Sequence, residues 1–76
     1  MKQVLTDIVK SIVDNPDEVV VLEKVSGDMS ILELSVAKED MGKVIGRQGR
    51  IAKEIRTLMR SVAQRKGTKV SVEIVD

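Results

Sequence analysis

Val44-Ile45-Gly46-Arg47-Gln48-Gly49-Arg50-Ile51 decides how this chain reads, because two glycines three residues apart separate two stretches with helical patterning and carry polar, donor-rich side chains between them. Glycine lets the chain turn tightly, and without a Cβ it leaves main-chain N–H groups open to a close-lying anion. Arg47 and Gln48 offer hydrogen-bond partners suited to phosphate or sugar oxygens. A motif this short needs support from its surroundings.

Working outward, the stretch after the turn predicts a long helix beginning near Gly49 or Arg50, with Ile51, Ile55, Leu58, Met59 and Val62 on one face and Lys66-Gly67 as its stop. Val70, Val72 and Ile74 then alternate as a closing strand. Before the turn, Asp40 is placed to cap a very short helix over Met41 to Ile45. Further upstream, Glu18 to Val25 and Ile31 to Val36 flank Ser26-Gly27-Asp28 and predict an antiparallel hairpin. Val4, Leu5, Ile8, Val9, Ile12 and Val13 set an apolar stripe on a first helix that stops before Asn15-Pro16. The predicted order α-β-β-α-α-β suits a two-layer α+β fold, with helices on one face of a three-stranded sheet.

Seventy-six residues read as one domain over 1–76, close to the smallest size at which an aliphatic core holds a fold by itself. With no cysteine and no histidine, disulfides, imidazole or thiol catalysis and the usual zinc sites are excluded. Neither the phosphate loop of nucleotide hydrolases nor the dinucleotide-binding glycine pattern is present. No catalytic residue is therefore assigned, and no cofactor is expected. Asp14, Asp17, Glu18, Glu39 and Asp40 have two readings, as ligands of a divalent cation or as helix caps and turn starters. The N-terminus has charges inside its apolar pattern, so neither a signal peptide nor a membrane span is expected there, and a cytoplasmic setting is.

Charge is unevenly placed. Residues 1–42 hold nine acidic and four basic side chains, residues 43–76 three acidic and nine basic. Around the turn stand Lys43, Arg47, Arg50, Lys53, Arg56 and Arg60 against the single acid Glu54. Basic residues in the first turn of a helix lie at the unfavourable end of its dipole unless an anion completes the site. Val44, Ile45 and Ile51 are candidates to floor a groove beside such an anion, and Val44 and Ile45 are equally candidates for the core. The chain has no Phe, Tyr or Trp, which argues against binders that stack bases on aromatic platforms.

Val44 to Ile51 resembles the V-I-G-x-x-G-x-x-I signature of K-homology (KH) RNA-binding domains. The element order is similar to that of the type II KH fold, a mixed three-stranded sheet covered on one face by three helices. Val13 to Asp17, Asp40 to Gly46, Ile55 to Leu58 and Lys69 to Ile74 extend the resemblance, over nearly the whole chain, to small bacterial single-KH proteins. The resemblance implies single-stranded RNA held along about four nucleotides. On it, Lys43, Val44, Ile45, Gly46, Arg47, Gln48, Gly49, Arg50, Ile51 and Lys53 form the RNA-binding set. Many relatives carry lysine first in the loop pair; Arg47 keeps the donor function. It further implies an RNA-chaperone role in the cytoplasm, a homodimer, a larger KH-containing partner, and a link to cell shape and cell-wall biogenesis. A KH-shaped module for docking or dimerisation is the alternative, kept open by the small core and by Gly42-x-x-x-Gly46.

Overall fold

Leu5 and Val9, one turn apart, are both removed from solvent, and the helix that carries them, α1 (Lys2–Lys10), lies on the first strand of the sheet. The computed structural model of the chain describes residues 1–46 and 49–75. α1 is shorter than its apolar stripe predicts. At Ser11 the hydroxyl donates to the Ile8 carbonyl at 2.6 Å, while its N–H is divided between the Asp7 and Ile8 carbonyls at 3.3 and 3.2 Å. A serine that bonds back to the preceding turn competes with helix propagation. Ile12 follows with a tighter, three-residue bond to the Val9 carbonyl and Val13 with a four-residue bond to the same oxygen, and this path still delivers Val13 to the core.

Pro16 opens a 3-10 turn over Pro16–Glu18, where its missing N–H costs nothing. β1 (Val20–Ser26) and β2 (Met29–Ser35) then pair antiparallel, from Val20 opposite Ser35 to Ser26 opposite Met29. Only Gly27 and Asp28 join them, and Gly27 takes φ +60°, a value tight hairpin turns require and glycine supplies without strain. A second 3-10 turn (Lys38–Asp40) leads into α2 (Met41–Ile45), and α3 (Arg50–Arg65) follows the glycine turn. α3 ends in a Schellman closure: Gly67 at φ +70° donates to Gln64 and Thr68 to Ala63, at 3.1 and 3.0 Å. β3 (Lys69–Ile74) returns parallel to β2, from Met29 beside Lys69 to Leu34 beside Ile74.

The sheet is thus mixed, in the order β1-β2-β3 with β2 central. Alternation decides its two faces. Val21, Leu32, Leu34 and Val72 point toward the helices and close on Leu5, Val9, Ile55 and Met59. α1 covers the β1 side and α3 the β3 side, while α2 packs mainly on α3 and sends only Val44 into the core. The opposite face carries Val20 and Leu22, which remain half exposed, and a Lys24–Glu33 ion pair at 3.5 Å. The predicted α+β sandwich and element order match the structure. Among the described residues no helix is long and apolar enough to cross a membrane.

Candidate nucleic-acid interface

α2 is only five residues long, and Gly46 ends it, donating its N–H to the Gly42 carbonyl at 2.9 Å. Gly46 has φ +65° and ψ 178°, a region open essentially to glycine alone. A Cβ there would sit 3.2 Å from both the backbone nitrogen and Cγ1 of Ile51. Gly49 is different: it takes the left-handed conformation (φ +71°, ψ 17°) with open space where a Cβ would stand. The first glycine is therefore fixed by packing and conformation together, the second by conformation alone.

The role expected of the glycine amides is narrowed by these bonds. The Gly46 N–H belongs to the helix, and the Gly49 N–H reaches the Gly46 carbonyl at 3.5 Å, the outer limit of such a bond. The donors best placed for an anion are those of the first turn of α3, which an α-helix leaves without intrahelical partners and which Gly49, lacking a side chain, does not cap. No acid lies in that turn. It presents Arg50 and Lys53, both exposed, with Arg50 Nε 3.5 Å from Glu54 one turn on. An exposed ion pair of this length is weak and exchanges readily for another anion.

The other candidates divide. Val44 is completely buried and belongs to the core, so of the paired aliphatics only Ile45, at 44% exposure, remains at the surface; Ile51 is partly buried against Gly46. Lys43 reaches across to the Asp14 carboxylate, with both side chains exposed to solvent. Gly42 has nothing within 4 Å of where a Cβ would lie, so no close approach is made there. Arg47 and Gln48, the loop pair, lie outside the described residues. Leu58, predicted on the buried face of α3, is instead 47% exposed, because Ile55 and Met59 take the positions over the sheet.

Two arginines outside the loop-centred set share a surface with β3. Arg56 and Arg60, one turn apart on α3, line a cleft of about 130 Å³ against Val70, Ser71 and Val72. Arg60 and Val70 also line a second cleft toward Gly67 and Lys69, so a furrow runs along α3 beside the free edge of β3. Lys69 and Val75 donate their N–H groups to the Asp28 and Leu34 carbonyls, and strand alternation therefore turns the polar groups of Val70, Val72 and Ile74 outward. Arg56 Nε already donates to the Val72 carbonyl at 3.2 Å. The signal for this edge lay in the spacing of Lys53, Arg56 and Arg60, which keeps all three on one side of a helix.

Asp40 does not cap α2 with its side chain. It is 1% exposed, and its carboxylate accepts from the Asp14 N–H at 3.1 Å and from the Asn15 N–H and Asn15 Nδ2 at 3.0 and 3.1 Å. Burial pushes this carboxyl up, but the Asp14 and Asn15 hydrogen bonds, helped by nearby Lys43, outweigh it and hold the group below its ordinary 3.8. Among the described residues no group of three or more acidic side chains is arranged to hold a metal ion.

An α-β-β-α-α-β sandwich with a parallel β2–β3 pair, and a glycine turn where one helix hands over to the next, defines a type II KH domain. Comparison with known proteins agrees: the sequence profile of the KhpA/KhpB KH domain matches residues 2–74. The RNA-binding protein KhpA of Clostridium acetobutylicum is 60% identical over 76 residues, covering 99% of this chain and 100% of the relative. KhpA of Clostridium perfringens is 52% identical, with 99% and 100% covered, and that of Chlamydia pneumoniae is 50% identical, with 100% and 97% covered. The chain belongs to the KhpA/KhpB KH-domain family. Its fold is also similar to part of a crystal structure of Aquifex aeolicus Era, with a TM-score of 0.65 at 19% identity over 96% of this chain and 28% of that one.

Proposed function

We propose that this protein is a non-catalytic binder of single-stranded RNA, which grips the backbone of about four nucleotides at the Gly46–Gly49 turn. Arg47 and Gln48 contact phosphate or sugar, the first turn of α3 supplies amide and basic donors, and Ile45 and Ile51 flank the strand. From there the RNA follows the furrow past Arg56 and Arg60, where the outward groups of β3 face base edges. The observation that carries this reading is the first turn of α3: it has basic residues and no acid at the positive end of the helix dipole, an arrangement an anion completes. The names of the relatives support RNA as that anion.

On the family resemblance, the reading extends to an RNA chaperone or post-transcriptional regulator of the cytoplasm, linked to cell shape and cell-wall biogenesis, with a KhpB-like partner. A docking or dimerisation role is the second reading, favoured by the exposure of Leu58 on α3 and of Leu22 and Val25 on β1. As a homodimer the protein would set two short RNA sites side by side and raise the effective affinity.

The test is to replace Arg47 and Gln48 with aspartate and follow a labelled single-stranded RNA by fluorescence anisotropy. The variant should stay folded and lose binding, and the wild-type affinity should fall with salt at a log–log slope of roughly −2 to −3. Undiminished affinity in the folded variant would remove the loop from the RNA site. A tight dimer indifferent to RNA would favour docking.

A further inference from the structure

A helix of five residues does not hold itself together, so the direction of α2 and the place where Gly46 opens onto α3 must be set from outside. Besides its packing on α3, two contacts do this. Val44 enters the core, but an aliphatic contact is nondirectional and tolerates rotation of the short helix about its axis. Asp40, at the start of α2, meets three N–H donors whose directions are fixed by the backbone and side chain of the Asp14-Asn15 segment. That segment is itself held, since Val13 is buried just before it and Pro16 follows it in the 3-10 turn. Lys43, three residues after Asp40, pairs with Asp14 and adds a second, solvent-exposed tie.

A side chain at the head of a helix ordinarily caps its own first turn, and Asp40 leaves that role unfilled to reach a loop 25 residues back in sequence. We infer that Asp40 is a positioning residue for the glycine turn: by gripping the backbone of Asp14 and Asn15 it orients α2 and thereby sets where Gly46 opens beside the first turn of α3. The inference rests on the RNA-binding reading above. Asparagine at position 40 keeps one oxygen as acceptor but turns an NH2 group toward donors, so at least one of the three bonds is lost together with the charge.

The experiment compares wild type, Asp40→Asn and Asn15→Ala as full-length protein, at a temperature where circular dichroism shows each to be folded. Each is titrated into a short fluorescein-labelled oligouridine, and backbone amide exchange is followed by NMR. Asp40→Asn is expected to weaken RNA binding about three- to tenfold and Asn15→Ala, which removes one donor, about twofold. Exchange should accelerate in residues 13–15 and 41–46 while β2 and the body of α3 keep their protection, a pattern that general loss of stability does not produce. Wild-type affinity in folded Asp40→Asn, or acceleration spread evenly through the chain, overturns the inference. If Asp40→Asn does not fold, Asn15→Ala decides, and unchanged affinity there overturns it. Absence of RNA binding by the wild type brings down the RNA reading and this inference together, whereas wild-type binding that ignores position 40 brings down this inference alone.

Discussion

The two edges of this sheet are built from the same kinds of strand and have different surroundings. Along β3 the outward backbone groups meet α3, where Arg56 takes the Val72 carbonyl and Arg60 lines the adjoining furrow. Along β1 there is no such partner helix beyond the stretch that α1 covers, and Leu22 and Val25 stand 56% and 71% exposed with Glu23 and Lys24 between them. An unpaired edge invites another strand, and a charge in its middle discourages this. Strand type alone therefore does not distinguish the two edges; the neighbouring helix does, by setting Arg56 and Arg60 beside β3.

The comparison holds only while β2 joins both halves. Leu32→Ala, at the fully buried centre of that strand, should destabilise the whole protein by about 2–5 kcal/mol, and urea unfolding followed by probes on both sides should show one transition. Gly46→Ala strikes the β3 side alone. The combination of φ +65° with contacts at 3.2 Å to Ile51 should cost about 1–3 kcal/mol, read by thermal unfolding, whereas Gly49→Ala meets only the conformational term and should cost less. In RNA titrations, Arg56→Ala with Arg60→Ala should weaken binding about three- to tenfold, while Leu22→Lys with Val25→Lys on the other edge should leave affinity unchanged. Equal losses from both pairs would erase the distinction between the edges.

Acid probes the tie between α2 and the rest of the molecule. Because the folded carboxyl of Asp40 sits below its ordinary 3.8, its contribution to stability is fully present above that value and is lost as pH falls through the lower folded one. Asp40→Asn should lack this part of the acid limb in a pH series of thermal melts. The smallest effect belongs to Lys24→Val. Loss of its exposed pair with Glu33 should change stability by no more than about 0.5 kcal/mol, yet light scattering should detect concentration-dependent association once the edge has lost its cation and keeps Glu23 as its one charge.

Much of the fold was legible because its elements obey local rules. The Gly27-Asp28 hairpin, the alternation of Val70, Val72 and Ile74, and the Lys66-Gly67 stop all act within a few residues. What sequence could not supply came from contacts distant along the chain. The apolar stripe continues through Ile12 and Val13, but the back-bonded Ser11 ends α1 earlier; Asp40 has the right type and position for a cap, yet its carboxylate meets Asp14 and Asn15 instead. The candidate site was legible in the same proportion. The glycine turn and its basic first helical turn could be read directly, whereas Val44 proves to be core and the Arg56–Arg60 edge needed β3 placed beside α3.

The parallel pairing of β2 with β3 also bears on how the chain assembles. β1 and β2 meet across two residues, so their hairpin closes with little loss of chain entropy. β3 joins across the whole α2–α3 crossover, a closure of much higher sequence separation and greater entropic cost. The furrow beside β3 therefore depends on the more costly of the two closures, and a chain cut before Lys69 would carry the glycine turn without the strand that lies along its neighbouring helix.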